Sequence, residues 1–273
     1  MLPGKRQAAD PSARVKMTDP FEGLSEATGI PVSVEGASMM TTRYLVAAEI
    51  AVGRRTFELA CASGPGLGLL DRGSAVTVGG DINQAMLARA RGHYGDRISL
   101  IRLSAERLPF TSNGFDFVTF LEASYYVPDL PAALAEIKRV LSPGGKVLLV
   151  NANPARPDFI PSPHSHRYHT AFEMSQLLTD LGFLTTTWGA FPVTDGGSVR
   201  RRFSRIARNL LTALGLVPKT LKGRARLKKL LGVQSRSVPA EIDESFGTRG
   251  RLCELTNANH SSFKVFYVEG KLR

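Results

Sequence analysis

The 273-residue chain contains no apolar run of about eighteen residues, the length a membrane-crossing helix needs. It has two cysteines, Cys61 and Cys253, too few for a disulfide framework. Both are read as reduced, and the protein is expected in the cytoplasm. The opening stretch MLPGKRQAADPSARVKMTDP is basic but lacks the apolar core of a secretory signal, so residues 1–25 are expected to be a disordered arm. No G-x-G-x-x-G or G-x-x-x-x-G-K-[ST] run occurs, which argues against a dinucleotide site and a phosphate-cradling loop. No cysteine–histidine spacing points to a structural metal, and no metal is expected. Between residues 196 and 240 there is no Asp or Glu at all.

What is present is a strand–turn–strand pattern. RTFELACASGPG runs from an apolar strand into a turn of small residues, and AVTVGGDIN is a second strand ending in an acid. In an α/β sheet such a turn lets backbone N–H groups approach a ligand, and the carboxylate ending the next strand reaches ribose hydroxyls. The pair describes a pocket for an adenosine-bearing cofactor. Strands are expected near 55–60, 75–80, 98–103, 115–121, 146–151, 185–191 and 263–268. Helical periodicity appears over 83–94, 130–141 and 170–182, and Ser38–Val52 reads as a further helix before the sheet. This alternation predicts an α/β fold with a doubly wound, mostly parallel, seven-stranded sheet.

Five segments in order, ELACASGPG, GGDIN, RLSAERLPF, GFDFVTFL and AEIKRVLSPGGKVLLV, resemble the class I S-adenosylmethionine-dependent methyltransferases, in particular the small-molecule, type-11-like branch. The resemblance covers about residues 55–151. It implies the Rossmann-like fold of that superfamily, S-adenosyl-L-methionine as cofactor, and methyl transfer to a small-molecule acceptor. It also assigns residues. Asp81 would accept from the ribose hydroxyls, with Ile82 beside it; the competing role for Asp81 is a helix cap. Glu58 would order the turn, and Ala60, Cys61, Ala62, Ser63 and Gly64 would form the backbone cradle. Members of the family usually carry glycine at positions 60 and 62. Alanine at 62 is the real departure, because a Cβ disfavours positive φ and crowds the ligand. Ser104, Ala105 and Glu106 would meet the adenine, with serine where the family usually has Asp. Glu122 follows the fourth strand. Arg43 and Tyr44, on the leading helix, would meet the carboxylate end of the cofactor.

For the acceptor side, Tyr125, Tyr126 and Tyr168 are the expected substrate contacts. His164, His166 and His169 follow the fifth strand; with Tyr126 they are the candidate catalytic residues, since an imidazole can deprotonate an acceptor hydroxyl near neutral pH. This favours O-methylation. The changes at positions 62 and 104 keep a second reading open, a fold that binds the cofactor without transferring methyl.

Phe191 and Phe263 are 72 residues apart where the resembled fold has a short hairpin, so residues 196–240 are expected to be a helical insertion between the last two strands. It carries twelve of the 35 basic residues, so the net charge of +11 leaves −1 for everything else (11 − 12). The methyltransferase core is then 26–195 and 241–273. The insertion suits an anionic or lipid-linked acceptor, or peripheral contact with an anionic membrane. Phe203 is its lone aromatic, which ranks a nucleic-acid methyltransferase last. The residues do not fix an oligomeric state.

Overall fold

A computed structural model describes residues 27–162, 164–193 and 234–273. The expected arm and most of the basic insertion lie outside the described residues. Arg236 is described, and its guanidinium donates to Phe246 O at 2.9 Å.

The elements in chain order are β1 (Pro31–Ser33), α1 (Val34–Ala51), β2 (Arg55–Leu59), α2 (Leu67–Asp71), β3 (Val76–Asp81), α3 (Gln84–Tyr94), β4 (Ser99–Arg102) and β5 (Phe115–Leu121). They continue with α4 (Leu130–Val140), β6 (Leu141–Ala152), α5 (Ala171–Asp180), β7 (Phe183–Pro192), β8 (Ser235–Ser237), β9 (Cys253–Glu254) and β10 (Phe263–Leu272). The central sheet among the described residues has eight strands, in the order β4-β3-β2-β5-β6-β10-β7-β9. The first five positions are parallel; β10 runs antiparallel between β6 and β7. The sequence predicts seven strands. The eighth is β9, a two-residue edge pairing Trp188 with Glu254 and Gly189 with Cys253, too short to leave a periodic signal. A separate two-stranded ribbon joins β1 to β8, so residues 235–237 of the expected helical insertion are strand.

The central strands are apolar on both faces because both faces are covered. On one side Phe117, Leu121, Leu148 and Tyr267 pack with Met40, Ala47, Leu70 and Leu87 from α1, α2 and α3. On the other, Phe57, Phe120 and Phe266 pack with Leu134 and Ile137 of α4 and Met174 and Leu178 of α5. Helix α1 begins four residues before the expected start. Ser33 caps it, its hydroxyl accepting from Gly36 N at 3.0 Å. Helix α5 carries a capping box between Thr170 and Glu173 and stops before Gly182, at φ +93°.

Two of the sequence motifs knit the scaffold rather than the site. Glu136 and Arg139 of AEIKRVL pair at 2.7 Å, and together they bind the backbone of RLPF: Leu108 N donates to Glu136, while Arg139 donates to Leu108 O and Phe110 O. Asp116 of GFDFV takes a bidentate pair from Arg55 at the start of β2. That guanidinium holds the Asp116 carboxyl well below the usual carboxylate range.

Candidate active site

The carboxyl ends of β2, β3, β4 and β5 open on one cavity of about 460 Å³, a usual size for a small-molecule site. Its wall includes Ala60, Cys61 and Ala62 of the turn after β2. Asp81 and Ile82 follow from β3, Ser104, Ala105 and Glu106 from beyond β4, and Glu122, Tyr125 and Tyr126 from beyond β5. Arg43 and Tyr44 of α1 complete it, with His166 beside the tyrosines. Residues from six segments of the sequence therefore meet around one space. Asn83, Met86, Leu103, Phe120, Val127 and Pro128 also line it and were not singled out in the sequence. Their one common signal is position, each at or just past the carboxyl end of a strand.

The turn is held in left-handed backbone. Ala60 has φ +61°, Ala62 φ +51° and Gly64 φ +72°. Each alanine carries a cost of about 1 kcal/mol or more for this conformation. The sequence weighed only Ala62 as a departure; Ala60 is strained equally. Two anchors hold the turn. Ala62 N donates to Asp81 Oδ2 at 2.8 Å, and Cys61 N donates to Gly80 O at 3.0 Å. Asp81 Oδ1 accepts from Asn83 N at 2.7 Å. Asn83, not Asp81, caps α3, its Oδ1 accepting from Ala85 N and Met86 N. Asp81 is thus a buried carboxylate that fixes the turn and lines the cavity.

Ser63 and Gly64 of the turn, and Glu58 of β2 just before it, are not part of the wall. The Ser63 hydroxyl is taken by Thr28, whose N–H donates to it at 2.9 Å. Gly64 packs on Leu67 and Tyr94, and its carbonyl accepts from the Tyr94 hydroxyl at 2.7 Å. Glu58 is 1% exposed, and its Oε1 accepts from Tyr44 Oη at 2.6 Å. Burial pushes the Glu58 carboxyl up to about 7, against the lowering effects of the Tyr44 bond and Arg43. A carboxyl raised from 4.5 to about 7 on folding stabilises the fold fully below the lower value, and the contribution is lost as pH rises through the upper one. Glu58→Gln keeps an acceptor for Tyr44 and removes the titration. Relative to the wild type it should therefore gain about 2–3 kcal/mol between pH 5 and pH 8, read from denaturant midpoints. Parallel stability curves for the two proteins would contradict the assignment.

The Ser104–Glu106 segment is built around a carboxylate. Glu106 Oε1 accepts from Asp129 N at 3.0 Å, and its other oxygen lies 3.4 Å from the Ser104 hydroxyl. At the opposite end stands an aromatic wall. Tyr125 stacks on Tyr168 with centroids 4.2 Å apart, Tyr126 tilts against Tyr125 at 4.6 Å, and Phe159 meets the edge of Tyr168. Tyr125 donates to Glu122 Oε2 at 3.0 Å, and Tyr126 donates to Ser162 Oγ at 3.0 Å. Glu122 has φ +52°, a strained position at the strand end. Tyr168 reaches the cavity only through Tyr125. Among the three loop histidines, His166 lines the cavity, because its backbone N–H is tied to Tyr125 O at 2.8 Å. His164 is exposed and off the wall. His169 is half-buried and also off it, and desolvation with Arg167 nearby lowers its basicity.

A family of proteins described as a methyltransferase domain matches residues 57–149. Two curated relatives share that part of the chain. One is the phthiotriol/phenolphthiotriol dimycocerosates methyltransferase of Mycobacterium leprae, 36% identical over 106 residues, 38% of this chain and 39% of that protein. The other is the ubiquinone/menaquinone biosynthesis C-methyltransferase UbiE of Hahella chejuensis, 40% identical over 83 residues, 28% of this chain and 33% of that protein. The match thus spans about two fifths or less of the relatives' length. An S-adenosylmethionine-dependent methyltransferase from Mesorhizobium loti has the same fold, with a TM-score of 0.52 at 18% identity over 87% of this chain and 99% of that one. The fold is that of the class I S-adenosylmethionine-dependent methyltransferases. Residues 57–149 match the methyltransferase-domain family.

Proposed function

We propose that the protein is an S-adenosylmethionine-dependent methyltransferase acting on a small-molecule acceptor. The observation that carries this reading is the single cavity that joins the turn at 60–62, Asp81 and the Ser104–Glu106 segment to a tyrosine wall. The donor set suits the cofactor: a buried carboxylate for a ribose diol, apolar side chains Ile82, Leu103 and Val127 for a flat base, and Arg43 for a carboxylate. S-adenosylmethionine, when bound, supplies an electrophilic methyl on a sulfonium. The protein's part is alignment, worth many orders of magnitude in rate when the reacting atoms are held in line. Tyr125 and Tyr126 form an angled aromatic wall for the acceptor, and His166 is the group at that end able to hold its proton.

An oxygen acceptor is the first reading, because it needs a base and His166 stands at the wall. Carbon is the second, favoured by the resemblance to a ubiquinone/menaquinone C-methyltransferase. With a phenolic or quinol acceptor that supports turnover, His166→Ala should lose about 10²-fold or more in rate with cofactor affinity retained. His164→Ala and His169→Ala should stay within a few-fold, and Tyr126→Phe should lose rate through the broken tie to Ser162. Full activity in His166→Ala would remove the base and turn the reading to carbon or nitrogen.

A lipid-linked or anionic acceptor is supported by the dimycocerosates methyltransferase relative and by the twelve cations of residues 196–240. Reversing Arg200, Arg201 and Arg202 to Glu should raise the Michaelis constant for an anionic acceptor, most at low salt. If those reversals instead abolish flotation with anionic vesicles, the segment is a membrane contact. No change in either assay would exclude both roles.

A further inference from the structure

Glu58 is the one acid of the site that is fully enclosed. It pairs across the sheet with Thr119 and Gly79 and is 1% exposed. Tyr44, which does line the cavity, donates to its Oε1 at 2.6 Å; its Oε2 is buried and has no hydrogen-bond partner among the described residues. Tyr44 cannot swing away with the carboxyl, because its ring is packed against Gly66, where a Cβ would lie 2.2 Å from two ring atoms. The ionisable and charged groups facing Glu58 are Tyr44 and Arg43 from α1, Asp81 from β3, the Cys61 thiol from the turn and Tyr94 from α3. Arg43 favours the ionised form of Glu58 and Asp81 opposes it, while burial keeps the tyrosines and the thiol neutral. An ionised carboxylate with a buried, unbonded oxygen is costly, and a neutral acid much less so. A positive charge entering the cavity shifts that balance in low-dielectric surroundings.

We propose that Glu58 is a charge-discriminating positioning residue: a neutral acid while the cavity holds no cation, and a carboxylate when a sulfonium occupies it, so that the methyl donor is held in preference to its neutral thioether product. This rests on the function proposed above. The only bond broken is the carboxyl O–H, and its proton passes to the buffer. Burial sets the titration near neutral pH, so the exchange takes place under ordinary conditions.

Titration calorimetry with S-adenosylmethionine and S-adenosylhomocysteine tests this without any acceptor. It is run from about pH 5.5 to about pH 7.0, below the α-amino pKa of about 7.7–8.0, and both ligands carry that group, so its titration largely cancels in their ratio. In the wild type the affinity ratio of donor to product should rise about tenfold across that range. In Glu58→Gln the ratio should be flat. In case that variant folds poorly, the wild type alone gives a second readout. The binding enthalpy of the donor should depend on the buffer's ionisation enthalpy, reporting proton release, and that of the product should depend on it less. An equal proton count for both ligands, or a pH-dependent ratio that survives in Glu58→Gln, overturns the proposal alone. Failure of both ligands to bind overturns the methyltransferase reading as well.

Discussion

Asp81→Ala is expected to weaken binding of S-adenosylhomocysteine by about 2–4 kcal/mol, or roughly 30- to 1,000-fold. Two losses combine. The ribose diol loses a charged acceptor. The turn loses its anchor as well, because Asp81 Oδ2 holds the Ala62 N–H at 2.8 Å and Oδ1 holds the Asn83 N–H at 2.7 Å. With Ala60 and Ala62 both in left-handed backbone, the turn depends on that anchor more than a glycine turn would. Asp81→Asn keeps one oxygen and should fall between the two. Calorimetry reads the effect. Unchanged affinity in Asp81→Ala would show that the carboxylate makes no ligand contact and that the turn holds itself.

Gly66→Ala is expected to be the most destabilising single methyl in the site. Gly66 has φ −105°, so alanine meets no backbone penalty there. The cost is steric: the new Cβ would stand 2.2 Å from Cε1 and Cζ of Tyr44, a ring that is 4% exposed and has nowhere to move. Displacing Tyr44 breaks its bond to Glu58 and leaves both oxygens of a buried carboxyl unsatisfied. Overpacking and the lost bond together amount to about 3 kcal/mol, or a fall of about 5–12 °C in melting temperature. A melting temperature within a degree of the wild type would mean that α1 shifts freely, and Tyr44 would not be the fixed element described here.

Much of this was legible in the sequence because the signals are local. The acid closing β3, the small-residue turn and the tyrosine pair each sit in a run of a few residues at the carboxyl end of a strand, although the sheet order β4-β3-β2-β5 places them around the cavity in a different order from that along the chain. What was not legible is non-local. The β1–β8 ribbon pairs Pro31 with Ser237 across the whole domain, and β9 is two residues long. The three histidines of PSPHSHRYH are equivalent in sequence. A backbone bond from His166 to Tyr125 O, made only in the folded chain, turns one of them to the cavity. Ser63 has the right spacing for the cradle, but its hydroxyl is bound to Thr28, 35 residues earlier. The strain at Ala60, at φ +61°, is not legible because sequence shows a residue type and not its φ.

A crystal grown with S-adenosylhomocysteine tests the assignment of the site most directly. The expected result is ligand density in the cavity between α1 and the carboxyl ends of β2, β3 and β4, with the ribose at Asp81, the base beside Glu106 and the sulfur turned toward the Tyr125–Tyr126 wall. Density that runs the other way along the cavity, lies elsewhere on the molecule, or is absent at saturating ligand would contradict it.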